Sequence, residues 1–239
     1  MNYEAANTRW QDHQLPFGER SDYKRVWNRQ AQDVEVATLA VVGARDEIDL
    51  DRMARWSIDQ IGATAPITAN DVILEIGCGI GRVGRVLSQE CLHWVGSDIS
   101  GEMLKHAAHH LWERPNTTLV ELATVGLMEF PRDSFDLVYC TVVFMHLLPW
   151  DRYRYVEEAF RVLRPGGHCY FDNVPMDSEH GWRVFLESAS YPLERRPAHM
   201  SMNSTREELA TYLGKAGFAN VAVRDLSNGF IAATGRKPE

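Results

Sequence analysis

Val72-Ile-Leu-Glu-Ile-Gly-Cys-Gly-Ile-Gly-Arg-Val-Gly-Arg-Val86 is the stretch from which the fold is read. Four apolar residues bracket one acid, Glu75; glycines then alternate at Gly77, Gly79 and Gly81; and Val83, Val86, Leu87 and Cys91 follow on one helical face. An apolar run of this length reads as a strand buried on both sides, followed by a tight loop and a helix. Alternating glycines let the backbone take positive φ and leave no Cβ between main chain and ligand. The helix start behind them adds unpaired N–H groups and the positive end of a dipole. The stretch therefore has the makings of a cofactor seat.

Working outward, strand and helix patterns alternate from Asp71. Strands are expected at His93–Ile99, Thr117–Leu122, Phe135–Cys140 and His168–Asn173, with helices from Gly101, from Trp150 to Leu163, and around Trp182, Phe185, Leu186 and Ala189. Such alternation implies a parallel sheet with right-handed crossovers. Ser204-x-x-Glu207 reads as a capping box for a helix carrying Leu209, Tyr212, Leu213 and Ala216. Strands near Val221–Leu226 and Gly229–Thr234 follow, joined only by Ser227-Asn228, a connection short enough to force an antiparallel pair. Tyr191–Asn203 has no period and reads as a loop over the site.

Before the first strand, residues 1–29 show no clean period and look like an arm that orders on something. Helices are expected at Gln30–Val42 and Asp49–Ile61, with Asp46 and Asp49 as candidate caps. These helices either cover one face of the sheet or form a lid. The organisation expected is an arm and helical lid over 1–65 and a core over 66–239.

The 239 residues, 45% of them hydrophobic, suffice for one substantial α/β core. A formal net charge of −8 argues against a nucleic-acid substrate held by phosphate neutralisation and favours a small acceptor. Cys78, Cys91, Cys140 and Cys169 have no paired spacing and read as buried thiols of a reducing compartment. With no long apolar span, a soluble cytoplasmic chain is expected, without membrane partners.

Gly79-x-Gly81-x-x-Gly84 matches the dinucleotide fingerprint, but the pattern fails when counted from Gly77, the first residue after the strand, because its third glycine position is Arg82. A carboxylate inside the strand would also repel a diphosphate, whereas it suits a cationic ligand. Glu75-x-Gly77-x-Gly79-x-Gly81 resembles motif I of the class I S-adenosylmethionine (SAM)-dependent methyltransferases. Phe135-Asp-Leu-Val and Leu163-Arg-Pro-Gly-Gly resemble the fourth- and fifth-strand regions of small-molecule members, so the likeness spans most of residues 70–175. It implies a Rossmann-like, seven-stranded, mostly parallel sheet ending in an antiparallel hairpin, helices on both faces, and SAM as cofactor with S-adenosylhomocysteine (SAH) as product.

By this resemblance the cofactor seat comprises Glu75, Gly77, Cys78, Gly79 and Gly81, with Asp98 for the ribose, Ile99 and Met103 against the adenine, Thr141 after the fourth strand, and Trp27 from the arm. The acid that many members place beyond the third strand is missing, and Thr124 or the backbone of Val125 stands in its place. His146, just past the fourth strand, is the candidate general base, since a neutral imidazole can take the proton of an attacking hydroxyl. Asp172 and Asn173 could join it around a divalent cation, although no metal-ligand spacing supports one. Trp10, Trp27, Trp150, Trp182, Tyr23, Tyr153 and Tyr191 suit a saccharide or glycoside acceptor. The readings in competition with an O-methyltransferase are an NAD(P)-dependent oxidoreductase and a SAM-binding partner protein without catalysis.

Overall fold

Strand β1 (Val72–Ile76) lies at the centre of a seven-stranded sheet in which alternate residues face opposite layers. The structure is a computed structural model describing residues 22–32, 47–192 and 195–239, with the side chains of 47–49 excepted. Leu74 and Ile76 pack into one core, Ile73 into the other. This two-sided burial is why the strand is a continuous apolar run.

The remaining described elements are α1 (Tyr23–Gln30), α2 (Glu47–Gly62), α3 (Arg82–Leu87), β2 (His93–Asp98), α4 (Gly101–His110), β3 (Thr117–Glu121), β4 (Phe135–Cys140), α5 (Pro149–Val162), β5 (Leu163–Asn173), α6 (Glu179–Ser190), α7 (Arg206–Ala216), β6 (Ala219–Asp225) and β7 (Ile231–Arg236). The strand order is β3-β2-β1-β4-β5-β7-β6. β1 pairs in parallel with β2 and with β4, β4 pairs in parallel with β5, and β7 is antiparallel to both β5 and β6. The order reverses between β1 and β4, which opens a crevice at their carboxyl ends.

One core joins Val138, Cys140 and Phe171 of the sheet to Tyr155, Val156 and Ala159 of α5 and to Leu209 and Leu213 of α7. The other joins Trp94, Leu137, Tyr139 and Tyr170 to Ala54, Ile58 and Ile61 of α2, to α3 and to Leu104 and Ala107 of α4. Thus α2 covers a face of the sheet, while α1 sits over the crevice.

Several local expectations need correction. Residues 23–29, expected as aperiodic arm, are helical, and the helix ends at Gln30, where one was expected to begin: Asp22 caps α1 by accepting from Arg25 N at 3.2 Å, and Tyr23 and Val26 bury the inner face. Most of the expected helix at Gln30–Val42, and Asp46 and Trp10 with it, lie outside the described residues. The cap of α7 is Thr205, which accepts from Glu208 N at 3.1 Å. Ser204 is engaged instead by Arg152 and Asn173. The β6–β7 connection runs from Leu226 to Phe230 rather than over two residues, with Gly229 at φ +84° completing the turn. β5 begins at Leu163, immediately after α5, and Pro165 to Gly167 lie within it.

Candidate active site

The loop after β1 is built by backbone hydrogen bonds that only this glycine pattern allows. Gly77, Gly79 and Gly81 have φ of +69°, +54° and +78°. A Cβ on Gly77 would lie 2.5 Å from Val143 Cγ2, so the position is closed to side chains by packing as well as by backbone angle. Gly77 N and Cys78 N donate to the Ser97 carbonyl at 2.7 and 3.0 Å, and Ser97 Oγ donates to the Glu75 carbonyl at 2.9 Å. Asp98 accepts from Gly79 N at 2.9 Å through one oxygen and from Ser100 N at 2.8 Å through the other. The carboxylate at the end of β2 therefore ties the glycine loop to the start of α4, where Ser100 caps the helix through Met103 N.

Glu75 is buried beneath the loop. Tyr139 Oη donates to its Oε2 at 2.5 Å and in turn accepts from Trp94 Nε1 at 3.0 Å. Burial pushes the Glu75 carboxyl up to about 8 despite the Tyr139 hydrogen bond, and pushes Asp98 up to about 6. Asp172, at the end of β5, is likewise raised by burial, to about 7. Of these, Glu75 and Asp98 line the cleft, and two buried carboxyls that resist ionising alone make a wall suited to a cationic ligand.

The cleft is lined by Glu75, Gly77, Cys78, Gly79, Asp98, Ile99, Met103, Thr141, Trp27 and His146 among others. The structure thus brings ten of the residues singled out from sequence to one place. Gly81 is not in the lining; it turns the chain into α3 behind the loop, where a Cβ would meet Leu111 and Ala107. Thr124 and Val125 also lie outside it, Thr124 exposed, and Leu122 occupies the corresponding wall.

Sequence reasoning missed Arg82 and Val142 in the lining and singled out Tyr23 only as an acceptor aromatic, not as an anchor of the helix over the cleft. Tyr23 donates to Asp151 Oδ2 at 2.6 Å and accepts from Leu148 N at 3.0 Å, which pins α1 over the opening. Its partners are more than a hundred residues away, so no local pattern announces it. Arg82 follows the glycine loop with Arg85 three residues on, so nothing local marks it as buried. Val142 has φ +62°, uncommon for a β-branched residue, and donates its N–H to Asp172 Oδ1 at 2.6 Å.

His146 sits in a 3₁₀ turn, Phe144–His146, with its ring edge-on to Trp27 at 4.9 Å between centroids. Its Nδ1 lies 2.7 Å from the His199 carbonyl, which can only accept, so Nδ1 carries the proton and Nε2 is the basic nitrogen of the neutral ring. His146 also lines a second cavity with Met145, His180, Tyr191, Met200 and Phe230. Of the aromatics considered for an acceptor, Tyr23 and Trp27 line the first cleft and Tyr191 the second, whereas Trp150 and Trp182 are 67% and 49% exposed. Asp172 and Asn173 are taken up by Val142 N and Ser204 Oγ, and no group of three His, Cys, Asp or Glu among the described residues could hold a metal ion. No described helix is long and apolar enough to cross a membrane.

Residues 74–171 match the family model for a methyltransferase domain. The demethylmenaquinone methyltransferase of Clavibacter sepedonicus is 27% identical over 192 residues, covering 74% of this chain and 77% of that one. The phosphoethanolamine N-methyltransferase of Triticum aestivum is 24% identical over 169 residues, covering 69% of this chain but 31% of its own length. The solved structure of a SAM-dependent methyltransferase from Thermotoga maritima, a possible histamine N-methyltransferase, superposes with a TM-score of 0.64 at 18% identity, covering 90% of this chain and 99% of that one.

Proposed function

With residues 74–171 belonging to the methyltransferase-domain family and the sheet following the class I SAM-dependent methyltransferase fold, we propose that the chain binds SAM in the β1/β4 cleft and methylates a hydroxyl of a small molecule. When bound, SAM supplies a methyl group made electrophilic by its sulfonium. The glycine loop cradles the ligand, the Glu75 and Asp98 carboxyls face its positive charge and ribose, and Ile99 and Met103 offer an apolar surface for its base. Trp27 and Tyr23 on α1 keep water from the reacting centre.

The observation that carries the oxygen assignment is the His146 hydrogen bond. With Nδ1–H committed to the His199 carbonyl, Nε2 takes the proton that the acceptor hydroxyl must lose as its oxygen attacks. The acceptor enters from the second cavity, whose wall it shares with the cofactor cleft at His146. That cavity's mixture of Met145, Tyr191 and Phe230 with three histidines suits a hydroxylated molecule with an apolar face, for which a saccharide or glycoside is the proposed class.

Incubation with methyl-labelled SAM and a panel of glycosides, phenols and amines tests the assignment. Label on an acceptor oxygen supports it. Label only on nitrogen or carbon contradicts the oxygen assignment, and SAM binding without transfer to any acceptor favours a non-catalytic SAM-binding protein.

A further inference from the structure

Helix α6 has two faces, and the described residues cover only one of them. On the inner side Gly181 is buried, while His180, Val184 and Ser188 line the second cavity. On the outer side Trp182, Phe185, Leu186 and Ala189 form a stripe at helical spacing, which globular helices ordinarily turn towards a core. Here the stripe is exposed: 49% at Trp182, 37% at Phe185 and 51% at Leu186, with Ala189 exposed beside them. The Trp182 and Phe185 rings are stacked, 5.0 Å between centroids and 17° between planes, so the stripe presents an ordered apolar slab rather than scattered side chains.

The charges that border the stripe favour a second copy of the same helix. Arg183 and Glu187 follow one another along one flank, four residues apart and both exposed. Two such helices packed antiparallel about a twofold axis at Phe185 bring Arg183 of one copy level with Glu187 of the other, and the symmetry repeats the pair. In the same register Trp182, the bulkiest residue of the stripe, comes within one residue's rise of Ala189, its smallest. Large thus meets small where cation meets anion. A lipid surface is a poorer match: helices that lie on anionic bilayers carry lysine and arginine along the polar face, whereas α6 has Arg183 with Glu179 and Glu187.

We infer that the outer face of α6 is a self-docking surface, on which two copies of the chain pair antiparallel through Trp182, Phe185 and Leu186 with Arg183 set against Glu187 across the axis. The three large side chains offer on the order of 300 Å² per copy, under the roughly 800 Å² per partner of a standard interface, so the dimer is weak and reversible.

Sedimentation equilibrium of the full chain at low salt, from about 5 to about 500 µM, tests this. The weight-average mass should climb from that of one chain towards that of two. Phe185→Asp, at the axis, should weaken association about tenfold or more. Arg183→Glu and Glu187→Arg each set like charges against one another and should each weaken it about fivefold, while the double variant R183E/E187R re-forms the pair with signs reversed and should return to within about twofold of wild type. Should Phe185→Asp not fold, the charge-reversal series alone decides. A wild-type chain that stays monomeric throughout overturns the inference, as does association untouched by Phe185→Asp, or a double variant no better than the single ones. Binding of phosphatidylglycerol vesicles by a chain that remains monomeric would assign the face to a lipid surface and equally overturns it.

Discussion

The Asp172 carboxylate, at the end of β5, accepts the backbone N–H of Val142 at 2.6 Å and so holds a β-branched residue at φ +62° beside the cleft. A non-glycine residue in that region persists only where its surroundings over-determine it, and Asp172 provides that restraint. Asp172→Ala should destabilise the protein by about 1–3 kcal/mol, since it leaves a buried donor unmatched. In a Val142→Gly background the same change should cost less, because glycine adopts positive φ unaided. Denaturant unfolding of the four proteins checks this; additive effects would separate the two residues.

The carboxyl of Glu75 gives a pH signature. Burial raises it from 4.5 to about 8, so between those values the folded chain keeps a proton that the unfolded chain has lost. The protonated carboxyl therefore stabilises the fold fully at low pH, and that contribution drains away as pH rises through about 8. Glu75→Gln has the same shape and does not titrate. The difference in melting temperature between the variant and wild type should shift in the variant's favour from pH 5 to pH 8. A difference that stays constant would contradict the buried-carboxyl assignment.

Arg152 fixes the loop that carries His199. Its side chain is 1% exposed; Nε donates to the Phe144 carbonyl at 2.8 Å, Nη1 to Ser204 Oγ at 2.7 Å and Glu208 Oε1 at 3.0 Å, and Nη2 to the Met202 carbonyl at 2.8 Å. Arg152→Met keeps the bulk but strands these acceptors, and should lower unfolding free energy by about 3 kcal/mol or more. Wild-type stability in that variant would mean the network carries little.

These residues also mark where the sequence was legible. β1 and β4 are buried on both faces, so their apolar runs stand out and the bounds expected for β4 are those observed. Glu75, Asp98 and the glycines are local to strand ends, and their meeting follows from the parallel order. The helix at Tyr23 was hidden because its anchoring partner, Asp151, lies 128 residues away. Ser204 and Thr205 are both good caps; Arg152 and Asn173 claim Ser204, and the cap moves by one. Arg82 entered the sequence reading only as the residue that breaks the glycine fingerprint; its burial is set by tertiary packing, which no local pattern reports.

His146 carries the oxygen-methylation reading and is tested on its own. His146→Ala should reduce turnover on the order of a hundredfold while leaving SAH affinity unchanged, as expected for a group that acts in the transition state. Single-turnover rates with a hydroxyl acceptor measure the first and calorimetry the second. Unaltered turnover would remove His146 from the chemistry.

The most direct measurement is calorimetric titration of the unmodified chain with SAH and, in parallel, with NAD(P)H. SAH binding at one site per chain, with no heat from NAD(P)H, is the result expected of a glycine loop backed by the Glu75 carboxyl. Binding of NAD(P)H without SAH, or of neither, would contradict it.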